Sequence, residues 1–278
     1  LAGTGGQCLM SPPELIDGKM PYVLYNLGGV ILNVITSLIF IVIYLISLWK
    51  LLSLAMIMSA IMGFASAVVN GIPMKVGDIN NDGYNAVQLG SDKDALKALW
   101  VQLKMNGALA EGIGIREMPE EWFESIDGKN DNPMITSIKV FYCNRLMAMH
   151  KFEQTKEEIK KVLESNMVLV GVYRYLLICD YIYCELIDGN IIEAEEFYTK
   201  DLQKFMKSMK KFPAILRTKY TYELLHNKDS KQAEKLRTLF NIMSEKYPYT
   251  SDIEAENELM DIAKSIYDGV MDNKINKK

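Results

Sequence analysis

Between Met20 and Trp49 the chain carries no charged side chain, and between Leu51 and Met74 it again carries none. No other feature limits the fold as much. The core of the first run, Leu27–Leu48, is dense in Ile, Leu and Val, and the second is apolar apart from small residues and serines as far as Val69. Each run is long enough to cross a bilayer core as a helix, for which roughly 20 apolar residues are needed. In lipid every backbone polar group must be bonded within the segment, so helix is the expected form. Trp49-Lys50 separates the runs, and both residue types favour the membrane interface. The spacing therefore predicts a transmembrane hairpin with spans at 27–48 and 51–72. The competing reading is two buried helices in the core of a soluble fold.

Residues 1–74 contain four charged side chains, Glu14, Asp17, Lys19 and Lys50, whereas the rest of the chain is densely charged. The average composition, 49% hydrophobic and 24% charged, conceals this division. The two parts suit different solvents: a membrane region at 1–90 and a soluble helical region at 91–278. A hairpin puts residues 1–20 and 75–278 on one side of the membrane. The Lys-rich second region follows no signal peptide and is expected in the cytoplasm. Leu1–Met10 (LAGTGGQCLM) reads as the middle of a strand-and-turn segment, without a basic n-region or a cleavage site. A fragment whose upstream part is missing is the expectation.

Short polar signals punctuate the apolar runs. In the first, Gly29 and Asn33 lie one turn apart on one helix face, a pattern suited to close helix packing with an interhelical hydrogen bond. The second ends in Asn70-Gly-Ile-Pro73, followed by Asp78-Ile-Asn80-Asn81-Asp82-Gly83. A helix broken by Pro at membrane depth, then carboxylates, is costly unless the acids pair, bind an ion or reach water. Asp78, Asn80, Asp82 and Gly83 have the spacing of half an EF-hand loop, but the twelfth position is Leu89 where a bidentate Glu is required. A plain turn, with Gly83 supplying the permissive backbone, is the simpler alternative.

Taken in order, Gly5-Gly6, Gly29-x-x-x-Asn33, Asn70-x-x-Pro73 and Asp82-Gly83 resemble the later part of the site-2 protease family, the intramembrane zinc metallopeptidases. The resemblance covers residues 1–90. It implies an integral protein of a bacterial cell membrane, with Asp82 as third zinc ligand, Gly83 as the turn that aims it and Asn70 as a polar catalytic-site group beside the substrate strand. Gly29, Asn33 and Pro73 would shape the site. Asp78 suits the family's spacing better but lacks the following Gly, so the ligand is Asp82 or Asp78. Val30 stands where many members have Pro. A catalytic zinc keeps three protein ligands and an open position. The family's His-Glu-x-x-His is not in these 278 residues, whose two histidines are His150 and His226. The expected activity is that of a zinc-dependent endopeptidase cleaving a membrane or membrane-proximal peptide, with this chain alone inactive.

The second region carries a different message. Helices are expected at Asp92–Met105 and Met118–Glu124. From Pro133 onward Gln154, Glu193 and Gln232 recur at a constant offset, each just after a turn and at the start of an amphipathic helix. Aromatic-rich helices such as Val172–Tyr183 precede these starts. A closing helix is expected at Ile253–Tyr267, after Tyr247-Pro248. The fold class is thus all-α, a membrane hairpin followed by stacked helix hairpins that resemble tetratricopeptide-type repeats. Such a stack implies a peptide or protein partner in its groove. The alternative function is a non-catalytic membrane anchor presenting this interaction module. Cys8, Cys143, Cys179 and Cys184 form no Cys-x-x-Cys pair and are expected as buried thiols. No basic stripe is evident in the acidic chain and no phosphate-cradling loop appears, so nucleic acid is not an expected partner.

Overall fold

A computed structural model describes residues 11–76, 79–124 and 131–275. The chain is helical and forms two compact units, Pro13–Trp100 and a second that takes in residues 11–12 and the chain from Val101 onward.

The first unit is built on α1 (Tyr22–Ile46) and α2 (Lys50–Gly71). Asp17-Gly18 precedes them as a two-residue turn with both φ angles positive, closed by paired bonds between Ile16 and Lys19. α1 and α2 run as an antiparallel pair. Ala60, Gly63, Ala67 and Gly71 recur on one face of α2, and small residues there let helix backbones approach closely. A Cβ on Gly63 would collide with the Ser37 hydroxyl, and one on Gly71 would sit 2.9 Å from Val30 Cγ1. Away from this seam the helices expose Leu24, Leu45, Met62 and many other apolar side chains. Of the apolar window of α1 only 6% is buried, and of α2 11%. Neither helix is therefore the core of this fold, and both are long and apolar enough to cross a membrane.

After α2 the chain forms a two-residue antiparallel ladder, β1 (Lys75–Val76) with β2 (Ile79–Asn80), then α3 (Asp82–Gln88). Asp92 caps α4 (Lys93–Ala110) by accepting from the amides of Asp94 and Ala95. The helix expected at Met118–Glu124 is instead two 3₁₀ turns, Ile115–Glu117 and Glu120–Phe123, because Pro119 falls between them and cannot continue a helix.

The second unit repeats a helix hairpin. α5 (Pro133–Ala148) pairs with α6 (Phe152–Glu164), α7 (Gly171–Ile187) with α8 (Ile191–Phe197) and α9 (Lys200–Ser208), and α10 (Pro213–Thr221) with α11 (Ser230–Ser244). A π-helical turn, Tyr222–His226, extends α10. The starts of α6, α8 and α11 stand 39 residues apart. His150, Gly189 and Lys228 occupy the same repeat position, and all three have positive φ, at 56°, 82° and 57°. At the first two, the amides of Lys151 and Asn190 bond back to Leu146 and Glu185, the helix-ending bond of a Schellman motif. Thr155, Ala194 and Ala233, one repeat apart, are buried where each second helix meets its partner. A final helix, α12 (Thr250–Ile275), starts where a fourth first helix is due and runs on without a break.

Among the described residues three apolar clusters of this unit lie around Val140–Tyr181, Cys179–Tyr222 and Met147–Ala263. At their junction Arg217 is fully buried. It pairs with Asp180 of α7 and, at 2.8 Å, with Glu256 of α12, and lies 4.9 Å over the Tyr183 ring. It also donates to the Cys179 carbonyl. Tyr183 donates in turn to the Leu259 carbonyl at 2.8 Å. A buried cation so fully paired ties α7, α10 and α12 in one register.

Candidate functional site at the end of the apolar hairpin

Asn70, Pro73, Asp82 and Gly83 fall at or just after the end of α2, where the helix stops at Gly71 just before Pro73. A residue preceding Pro is pushed to extended backbone, and Ile72 has ψ of 123°. The last carbonyls of α2 then need partners. One side chain supplies them. Asn81 Nδ2 donates to the Val69 and Ile72 carbonyls at 2.8 and 2.6 Å. Its Oδ1 accepts from the Met74 amide at 3.0 Å and from the Tyr84 amide at 2.9 Å. All four hydrogen-bonding positions of the amide are used. Asn81 is thus the N-cap of α3 and the clasp on the C-terminus of α2.

Asp82 follows as the first residue of α3, half-buried, and burial pushes its carboxyl pKa above the ordinary value. Gly83 is buried within α3 and is not a turn residue; its φ is not positive. What demands glycine there is proximity, since a Cβ would collide with the Gly71 carbonyl oxygen. Gly90, just beyond, similarly leaves no room for a Cβ beside the Tyr22 hydroxyl. Lys75 Nζ lies 4.8 Å over the Tyr84 ring and covers the outer side of the segment.

The other expected site residues are more dispersed. Asn70 is exposed in the last turn of α2, and its side chain makes no hydrogen bond among the described residues. Pro73 is exposed directly after the helix. Gly29 is exposed on α1 with open space where a Cβ would be, so it does not serve the α1–α2 seam. Asn33 is half-buried, and its amide makes no hydrogen bond among the described residues. Asp78, Gly5, Gly6 and Cys8 lie outside the described residues. Asn81, which holds the segment together, carried no role in the sequence reading. Its signal was an Asn directly before an Asp-Gly helix start, the ordinary N-cap pattern.

Among the described residues no three His, Cys, Asp or Glu side chains are placed to hold a metal ion. Both histidines belong to the helical unit. His150 stacks on Phe152 and lies 3.4 Å from Glu258. His226 stacks on Tyr222 and lies 3.9 Å from Glu195. The described residues therefore do not make up a zinc site; at the hairpin end they offer the Asp82 carboxylate. Cys143, Cys179 and Cys184 are free and buried, and burial pushes the first two thiols up to about 12. Such thiols pack as small apolar groups and do not act as nucleophiles. The chain matches no protein-family model, no curated protein and no solved structure.

Proposed function

We propose that this chain is the later part of a membrane-embedded zinc-dependent endopeptidase. In this reading α1 and α2 span the bilayer, and Asp82 is the one metal ligand these residues contribute. The observation that supports it is the Asn81 clasp. It fixes a half-buried carboxylate at the first position of a short helix, pressed by Gly83 against the broken end of an apolar helix. A carboxylate half-buried beside an apolar helix end costs free energy that a bound cation would offset. The remaining ligands must be two histidines other than His150 and His226, and Asn70 would stand beside the substrate strand. The substrate class is a transmembrane or membrane-proximal peptide, with the helical unit on the cytoplasmic side.

The 39-residue repeat favours a second reading, a membrane anchor carrying a protein-binding helical stack with no catalysis. The coding sequence upstream of Leu1 separates the two at once. An apolar helix there with His-Glu-x-x-His supports the peptidase; a complete gene product without one sinks it. In the complete protein, Asp82→Ala should then remove bound zinc and peptide cleavage while helix content stays unchanged. Unaltered zinc content would assign Asp82 to structure alone.

A further inference from the structure

Helix α9 has two unlike faces. Leu202 and Met206 are fully buried, and Phe205 and Met209 pack beside them on the second apolar cluster. On the opposite face of α9 Lys200, Lys204 and Lys207 recur at helical spacing, and Lys210 and Lys211 follow in the turn after the helix. Lys204, Lys207, Lys210 and Lys211 are exposed. Asp201 pairs with Lys204 at 3.0 Å; Lys200, Lys207, Lys210 and Lys211 have no acidic partner among the described residues. Lys219 packs behind them, donating to the Met206 carbonyl, and its ammonium is held below the usual lysine range mainly by burial, with Lys207 adding to the effect. The chain as a whole is acidic, at −4, and α8 just before carries Glu193, Glu195 and Glu196. Five lysines are thus gathered along α9 and the turn after it in a chain of negative net charge.

We propose that the lysine stripe of α9 docks on the headgroups of an anionic membrane leaflet. The inference rests on the reading that α1 and α2 span a bilayer. The segment 72–100 joins α2 to the helical unit, so chain connectivity tethers that unit to the surface that α2 would leave. Charge complementarity identifies the partner: basic residues near a cytoplasmic leaflet are attracted by its anionic lipids, and the attraction decays within a Debye length. The apolar face of α9 is already used in the core, so the contact is electrostatic and does not insert side chains between acyl chains. Each lysine removed should weaken docking by roughly fivefold.

The test places the full chain in nanodiscs of phosphatidylcholine alone and of roughly three parts phosphatidylcholine to one part phosphatidylglycerol. Lysine acetylation rates are then read by mass spectrometry. Lys204, Lys207, Lys210 and Lys211 should react several-fold more slowly on the anionic discs, and about 0.5 M salt should abolish the difference. Exposed Lys246, in the turn after α11, serves as internal control. Replacing Lys207, Lys210 and Lys211 together by Gln should release Lys204, whereas the same three changes to Arg should keep it protected. Equal rates on both lipids, or protection that persists with Gln, would overturn the docking proposal alone. Stronger protection by an added DNA duplex than by phosphatidylglycerol would overturn it in favour of nucleic acid. A chain that does not enter neutral discs would break the spanning premise, and the proposal with it.

Discussion

At the scale of single residues, the least replaceable side chain in the first unit is Asn81. An ordinary N-cap needs an acceptor, which Asp supplies as well as Asn. Asn81 is also a donor to two helix-ending carbonyls, which Asp cannot be. Asn81→Asp should therefore loosen α3 nearly as much as Asn81→Ala, by about 2 kcal/mol. Amide hydrogen exchange of Tyr84–Gln88 in detergent should accelerate roughly thirtyfold in both variants. Full protection in the Asp variant would reduce Asn81 to a plain cap. In the second unit Asp252 is held up to about 6 by burial first and Glu256 second. A carboxyl raised in the folded state keeps its proton there while the unfolded chain loses it, so its stabilising effect is present below about pH 4 and is lost as pH rises through about 6. Asp252→Asn should then stabilise the helical unit by about 1–2 kcal/mol at pH 7, part of the full effect being offset by the helix dipole. That gain should vanish by pH 4. Urea midpoints at the two pH values check it, and an equal gain at both would rule out the linkage.

Elements show where a linear pattern suffices and where it does not. The repeat was legible because Gln154, Glu193 and Gln232 mark three helix starts that the fold needs at equal intervals. The backbone of the turns was not legible, since His150, Gly189 and Lys228 share a left-handed φ but not a side-chain type. Nor was the split of the second pair's outer helix into α8 and α9, where Thr199 recaps the chain after Tyr198. The basic stripe escaped for a related reason: α8 is acidic, and charge counted along the chain cancels what the α9 helix separates onto one face. The shared turn position makes a paired prediction. Gly189 has open space around its missing Cβ, so Gly189→Ala tests backbone strain alone and should cost about 1–2 kcal/mol. Lys228→Gly should gain about 1 kcal/mol by relieving the same strain. Opposite signs in thermal or urea unfolding would confirm one turn geometry in both units. A loss in both would show that Lys228 makes contacts outweighing its φ.

For the molecule as a whole, the two charge-free runs were readable because lipid tolerates neither charge nor unpaired backbone, and that demand falls on composition itself. The candidate site was readable only in part. Asp82 and Gly83 stand out as a dipeptide, but the clasp joins Asn81 to backbone groups at 69, 72 and 74, and no periodicity announces such bonds. The core of the helical unit has the opposite character. All residues of its three clusters lie between Val140 and Tyr267, and the Asp180–Arg217–Glu256 network closes within the same span. The fragment Lys93–Lys278, which keeps α4 whole, should therefore fold in water without detergent, with a cooperative far-UV circular dichroism melt. Its midpoint should fall within about 4 °C of the same transition in the full chain, the shift that roughly 1 kcal/mol gives at this size. Arg217→Met in this fragment, which leaves buried Asp180 and half-buried Glu256 without their cation, should lower stability by about 3–5 kcal/mol. A fragment that aggregates or melts without cooperativity would mean that the hairpin completes the fold of the helical unit as well as tethering it.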